Sequence, residues 1–249
     1  MQQKQRIMKY AIIAAGKGSR LAQEGEPMPK PLVKVGNECL IDRLIRIFMD
    51  NHAEEIVVIC NEDREQVHLH LQNIQRNGLN GMAIPLCVVQ KSTPSSMHSL
   101  FEISPYLCHS VFCLTTVDTI FSEKAFQQYI HQFQQQVQQG TQAFMAVTKF
   151  IDDEKPLYVK LDENMRIQGF YDDNTNNCTY ISGGIYGLQP ICLQVLKQCI
   201  EHGEQRMRNF QRALITQHLQ VKAYNMECIL DIDHVSDIKK AEQFVATQQ

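Results

Sequence analysis

Nowhere in the 249 residues is there an apolar run of the roughly 18–20 residues that a membrane-spanning helix needs. Neither sign of charge dominates. Lys and Arg number 24 against 27 Asp and Glu, a formal net charge of −3, which argues against nucleic acid or an anionic membrane as a partner held by bulk charge. The N-terminal segment MQQKQRIMKYAIIAAG carries basic residues but reaches glycine after a very short apolar stretch. No small-residue cleavage site follows it, so no signal peptide is expected. The nine cysteines, at 39, 60, 87, 108, 113, 178, 192, 199 and 228, include no CxxC pair. Local spacing therefore supports neither a zinc knuckle nor a thioredoxin-like motif. Most lie in apolar runs such as IVVIC and IPLCVV, where reduced cysteine behaves as a small buried hydrophobe. No Ser-His-Asp or Cys-His arrangement is recognisable, and no internal repeat or long linker interrupts the chain. With 44% apolar and 20% charged residues, the composition is that of a soluble globular protein, expected in the cytoplasm.

What is present is an alternation. Residues 10–15 (YAIIAA) form a short continuous apolar run, as in a strand buried on both faces. Residues 40–51 place Leu40, Ile41, Leu44, Ile45, Ile47 and Phe48 on one helical face. Strands at 55–60, 84–89 and 111–116 then alternate with helices at 65–74, around 96–107 and at 126–139. Four strand–helix units imply an α/β fold with a largely parallel sheet. The rhythm changes afterwards. Strand-like segments at 144–149, 158–161, 166–171 and 179–188 precede helices near 190–200 and 207–219, a strand at 221–226 and a last helix at 235–246. The segment 172–178 is the most loop-like of the chain. One domain spanning 1–249 is expected: a first half (1–140), an inserted β-rich half (141–228) and a closing segment (229–249).

The strongest chemical signal begins at Ala11, in AIIAAGKGSRLAQEGEPMPKPLVKV. Gly16 and Gly18 follow a buried strand, where a chain turns and admits a ligand close to its backbone. Leu21 stands where the dinucleotide fingerprint needs its third glycine, and no GKS or GKT completes a phosphate-binding Walker loop. What remains is Gly-x-Gly-Ser19-Arg20 and, further on, Pro29-Lys30-Pro31. The glycine turn and Ser19 offer backbone N–H groups to phosphate. Arg20 offers a planar fork and Lys30 a point charge between two prolines, a pair suited to a triphosphate.

This segment resembles the signature of the nucleotidyltransferases that join an NTP to a sugar 1-phosphate, the nucleoside diphosphate sugar pyrophosphorylase family, which also includes phosphocholine cytidylyltransferases. The likeness extends over nearly the whole chain: LTTVDTIF (114–121) resembles the family's metal-aspartate segment, SGGIYGL (182–188) its glycine–isoleucine–tyrosine strand, and ILDIDHVSDIKKAEQF (229–244) its terminal aspartate motif. The resemblance implies a Rossmann-like three-layer sandwich with a mostly parallel central sheet and a β-rich acceptor-binding half. It implies that Ala14, Ala15 and Gly16 hold the nucleobase and ribose through their backbone, and that Arg20 binds the departing phosphates while Lys30 holds the α-phosphate. Asp118 is implied to ligate Mg²⁺, with a second ligand from Asp231 or Asp233, Asp231 preferred; Asp233 or Ser236 could instead cap the last helix. Gln90 is implied to read the base, Ser95, Ser96 and His98 to pack around base and sugar, and Gly184 to line the substrate. The partners implied are an NTP and a small phosphorylated acceptor, a sugar 1-phosphate first, with a homodimer as the common assembly.

Two departures from the family pattern bear on specificity. TPSSMHSL replaces the small-residue run that usually packs on the base. A Glu-x-Lys-Pro segment, whose lysine holds the sugar phosphate in relatives, is replaced by GFYDDNTNNC, leaving Lys160 of the neighbouring strand as the candidate substitute. These departures keep two alternatives open: a cytidylyltransferase acting on a non-sugar phosphate such as phosphocholine, and an inactive nucleotide-binding regulatory subunit. His68 and His70, two apart on a helix, point to different faces and cannot share a metal.

Overall fold

The computed structural model describes residues 8–152 and 154–248. The first half contains β1 (Met8–Ala14), α1 (Ser19–Gln23), a 3-10 turn (Lys30–Leu32), the hairpin β2 (Lys34–Val35) and β3 (Glu38–Cys39), α2 (Leu40–Asp50) and β4 (Ala53–Cys60). It continues through α3 (Glu65–Asn77), β5 (Leu86–Gln90), α4 (Ser96–Leu107), β6 (Phe112–Thr116), β7 (Thr119–Phe121) and α5 (Glu123–Gln138). The second half contains β8 (Ala143–Thr148), β9 (Tyr158–Leu161), β10 (Ile167–Tyr171) and β11 (Tyr180–Leu188). After these come α6 (Cys192–Glu201), α7 (Met207–Thr216), β12 (Val221–Asn225), β13 (Ile229–Asp231) and α8 (Val235–Ala246).

A nine-stranded sheet forms the middle layer, and β5, β4, β1 and β6 are parallel neighbours in that order. β11 runs antiparallel beside β6 and also pairs with β8, which β12 joins in parallel. Side chains of β1 alternate between two cores: Tyr10 and Ile12 face one, Ala11 and Ile13 the other. The first core is covered by α2, α3, α5 and α8, the second by α4, α6 and α7. The result is the α/β fold with a mostly parallel sheet that the alternation implied, in the three layers that the resemblance implied.

The β-rich half is grafted on through β11. Its C-terminal part pairs with β6, whereas Tyr180 and Ile181 pair with β9, so β9 and β10 peel away as a separate ribbon. Gly184 lies at the fork with φ +72°, within the register shift between Ser182 and Tyr186. A Cβ there would meet the Thr119 and Thr116 hydroxyls at 3.2 and 3.5 Å. Backbone conformation and space both favour glycine at the bend.

Four parallel strands end together. Ala14 is in register with Cys60, Cys60 with Gln90, and Ile13 with Thr116. The loops that follow all open on one edge, the carboxyl edge where open α/β sheets bind ligands. Two three-residue strands complete that edge: β13 pairs antiparallel with β7, Asp231 lies opposite Thr119, and Ile232 N–H donates to the Asp118 carbonyl at 3.1 Å. No helix among the described residues is long and apolar enough to cross a membrane. All nine cysteines are unpaired.

Candidate active site

The loop after β1 turns at Gly18, whose φ of +60° lies in the left-handed region as the cap of α1. A Cβ at Gly18 would sit 3.1 Å from the Lys30 Cβ, so glycine is what lets the two ends of the signature loop lie against each other. The loop is held from beneath by Asn61, buried at the end of β4, whose amide donates to the Ala15 carbonyl at 3.0 Å. Arg64 donates to the Lys17 carbonyl at 3.1 Å. Asn61 was not singled out in the sequence, where an asparagine after a strand reads as an ordinary turn residue.

Four charged side chains from four separate segments form a chain across the strand ends. Lys30 Nζ lies 2.6 Å from Asp118 Oδ2 and 2.8 Å from Asp233 Oδ1; the other oxygen of Asp233 accepts from Arg20 at 2.8 Å. The Lys30 side chain is only 10% exposed, whereas that of Arg20 is 51% exposed at the mouth. Burial alone would pull the Lys30 ammonium down, but the carboxylates of Asp118 and Asp233 outweigh it and hold the group above the ordinary lysine value. Burial likewise pushes Asp233 up, and its contacts with Lys30 overcome that, leaving its carboxyl below the usual range.

Asp231 lines the same cavity as Asp118 and Asp233. Neither Asp233 nor Ser236 caps α8. That is done by Asp237, which accepts from His234 N–H at 2.8 Å, and by Glu24, which accepts from Val235 N–H at 2.8 Å. Asp233 is thereby left to face the lysine.

Asp118, Asp231 and Asp233 line a cavity of about 350 Å³. Ser95, Ser96 and Gly184 line it as well, as does Tyr186. Burial raises the Tyr186 phenol well above its usual value, so it stays neutral. Lys155, Arg206 and Arg208 also line it, three cations that no motif of the sequence marks. Ser95 caps α4 and bonds to His98 Nδ1 at 2.9 Å. Gln90 is exposed at the end of β5, its amide 3.5 Å from the Glu62 carbonyl.

Lys160 is not brought to this cavity. It lies on β9, exposed, and donates to the Asn176 carbonyl at 3.0 Å in the loop 172–178. The reason is topological: β9 belongs to the ribbon that peels away from the main sheet at Gly184. His68 bonds to Gln72 and His70 to Asp42, so the two histidines do face different ways.

The residues present suit a hard divalent cation. Asp118 and Asp233 already converge on one positive charge, and they supply the oxygen donors that Mg²⁺ prefers. Among the described residues no three His, Cys, Asp or Glu side chains close into a metal cage. An open carboxylate pair fits a cation that shares its coordination with substrate phosphates.

A family model of nucleotidyl transferases matches residues 9–248. The chain belongs to the nucleotidyl transferase family. Of curated relatives, the bifunctional IPC transferase and DIPP synthase of Thermococcus kodakarensis is 29% identical over 111 residues, 45% of this chain and 23% of that protein. The chain spans less than a quarter of the length of the curated relatives it matches. Solved structures of other proteins share the fold, two of them as follows. The inositol-1-phosphate CTP transferase of T. maritima has a TM-score of 0.77 at 19% identity, over 98% of this chain and 97% of that one. UDP-glucose pyrophosphorylase of Acinetobacter baumannii has a TM-score of 0.77 at 15% identity, over 98% and 95%.

Proposed function

We propose that this member of the family transfers a nucleotidyl group from an NTP to a small phosphorylated acceptor, a sugar 1-phosphate first among them, and releases pyrophosphate. The observation that carries this reading is the Arg20–Asp233–Lys30–Asp118 chain at the carboxyl edge of the sheet. An acceptor phosphate oxygen attacks the α-phosphorus in line, the new P–O bond forms, and the bond to the bridging oxygen of the β-phosphate breaks. The nucleophile is already an anion at neutral pH, so no general base is required. Catalysis then rests on alignment and charge neutralisation.

Lys30, protonated and nearly buried, supplies a fixed positive charge where negative charge gathers on the α-phosphate. Arg20, at the open end, is suited to the β- and γ-phosphates, which leave together. Lys30 must then exchange one or both of its carboxylate partners for phosphate oxygens when nucleotide enters. Asp118 and Asp233 would hold Mg²⁺, with Asp231 beside them. That ion, when bound, supplies neutralisation of the reacting phosphates and a template for their alignment. Backbone groups of Ala14, Ala15, Gly16 and Gly18 are suited to base, ribose and phosphate, with Asn61 keeping that turn in shape. Nine unpaired cysteines favour a reducing compartment, the cytoplasm.

A second reading has CTP as donor and a non-sugar phosphate as acceptor. It is favoured by GFYDDNTNNC standing where the resemblance implies a Glu-x-Lys-Pro segment. Both readings are tested by one assay. Pyrophosphate release is measured with Mg²⁺ across ATP, CTP, GTP, UTP and dTTP, against hexose 1-phosphates, inositol 1-phosphate and phosphocholine. One productive pair is expected. Nucleotide binding with no release for any pair would overturn catalysis in favour of a binding role.

A further inference from the structure

The last backbone rung between β4 and β5 runs from Lys91 N–H to the Cys60 carbonyl at 2.9 Å. Beyond it, one side chain continues the pairing in both directions. Asn61 is the first residue after β4 and only 4% exposed. On one side its Nδ2 donates to the Ala15 carbonyl at 3.0 Å, in the signature loop after β1. On the other side its Oδ1 accepts from the Ser92 hydroxyl at 3.0 Å, in the loop after β5. The same oxygen accepts from Asp63 N–H at 2.8 Å. A short carboxamide supplies this set, a donor on one branch and an acceptor with two lone pairs on the other. Aspartate lacks the donor, and serine has one branch where two are needed.

An asparagine after a strand ordinarily shapes its own turn, and the bond from Asp63 does that here. The other two bonds do something else, since they cross 46 and 31 positions of sequence. Each is reinforced further out. Arg64 donates to the Lys17 carbonyl at 3.1 Å on the signature side. On the β5 side, Thr93 Oγ1 lies 2.6 Å from Ser99 Oγ and 3.3 Å from the Ser95 carbonyl, which joins the loop to the start of α4. The signature loop and the loop after β5 therefore stand at a fixed separation, with Asn61 as the spacer.

We infer that Asn61 is a positioning residue for the nucleobase: it fixes the separation between the signature loop and the loop after β5, and with it which base the protein prefers. The inference rests on the reading of these two loops as the nucleotide side of a nucleotidyl transfer. Asn61 itself touches no substrate in this role. A flat ring held by the backbone of one loop is told from another by which of its edge groups the opposite loop can reach. Hydrogen bonds weaken steeply with distance and angle, so a shift of about 1 Å between the loops is enough to change the choice.

The test is calorimetric titration of the intact protein in Mg²⁺ with ATP, CTP, GTP, UTP and dTTP in turn, which reads binding without an acceptor. Asn61→Asp keeps the size and both accepted bonds but sets an oxygen against the Ala15 carbonyl. It is expected to weaken the preferred nucleotide by about ten- to a hundredfold, the range for a buried polar pair left unmade, and the others by less. The margin between the preferred base and the next then narrows. Ser92→Ala removes a single bond from an exposed residue and should narrow the same margin by about threefold. Arg64→Gln frees only the Lys17 carbonyl, and should weaken all five nucleotides alike. In pyrophosphate-release kinetics Asn61→Asp should raise the nucleotide KM and leave kcat and the acceptor KM near wild type. The inference is overturned if Asn61→Asp lowers Tm yet keeps the wild-type order and margin, which would make the asparagine a structural tie alone. It is overturned equally if Arg64→Gln narrows the margin as much. Should Asn61→Asp fail to fold, Ser92→Ala decides, and an unchanged margin there overturns the inference. Wild type that binds all five nucleotides equally overturns it too. Wild type that binds none of them has a different signature and overturns the nucleotidyl-transfer reading beneath it.

Discussion

In the proposed transfer the chemistry turns on Lys30, because it is the one cation of the Arg20–Lys30 pair taken largely out of water. Replacing it with alanine removes a preorganised charge from the α-phosphate and should lower kcat by about a hundredfold or more, with a smaller rise in KM. Steady-state kinetics on Lys30→Ala checks this, and near-normal turnover would contradict the role. The carboxylates can be tested in the same way. Asp118→Asn and Asp233→Asn should each raise the Mg²⁺ concentration for half-maximal activity by about tenfold or more, because both carboxylates converge on Lys30. A metal titration of both variants checks this, and an unchanged requirement would contradict the assignment. Gly18→Ala forces a left-handed conformation on alanine and crowds Lys30, so stability should fall by about 1–2 kcal/mol. Denaturant melts would measure that fall, and an unchanged midpoint would contradict it.

At the scale of elements, short pieces with no periodicity of their own assemble the site. β7 and β13 are three residues each, too short to show alternation, yet their pairing carries Asp233 to Lys30 across 203 positions of sequence. The helices were readable because their apolar stripes recur over several turns, as with Phe126, Tyr129, Ile130 and Phe133 on α5. Between α2 and α3 lies a titratable clip: His70 Nε2 is 2.6 Å from Asp42 Oδ1, and this hydrogen bond raises the imidazole above its ordinary value of 6.5 despite the opposing effect of burial. A raised histidine contributes stability that is fully present below its unfolded pKa and is lost as pH rises through the folded value. Wild type should therefore exceed His70→Gln by about 0.5–1 kcal/mol at pH near 5.5, and the gap should close towards pH near 8.5. Thermal melts at both pH values test the sign; a gap that widens with pH would refute the clip.

For the whole molecule, β11 joins the first half to the β-rich half without a linker, pairing with β6 along one part and with β9 along another. Two cores lie on opposite faces of the same sheet, and both contain residues of β1, β6 and β8. Disruption on one face is therefore felt on the other. Urea unfolding followed by far-ultraviolet circular dichroism and by tyrosine fluorescence should give coincident single transitions. Two separated transitions would mean that the β-rich half unfolds on its own. If the proposed site is right, saturating Mg²⁺ and nucleotide should move that transition upward by mass action, since Lys30 and Asp233 come from opposite ends of the chain.

The amino-acid sequence by itself determined the layer order and the chemistry available. Continuous apolar runs must be buried on both faces, three- and four-residue stripes must turn one side of a helix inward, and a glycine turn with Arg20 and Lys30 sets two cations after the first strand. These are local properties, and local spacing reports them. Which carboxylate meets Lys30, that Lys160 is carried off on a diverging ribbon, and that Arg206 and Arg208 face the cavity were decided only in three dimensions. Each depends on where a strand forks or on a pairing between segments remote in sequence. An isolated arginine on an amphipathic helix carries no mark of the wall it will face, because that depends on the partner elements and not on its neighbours in the chain.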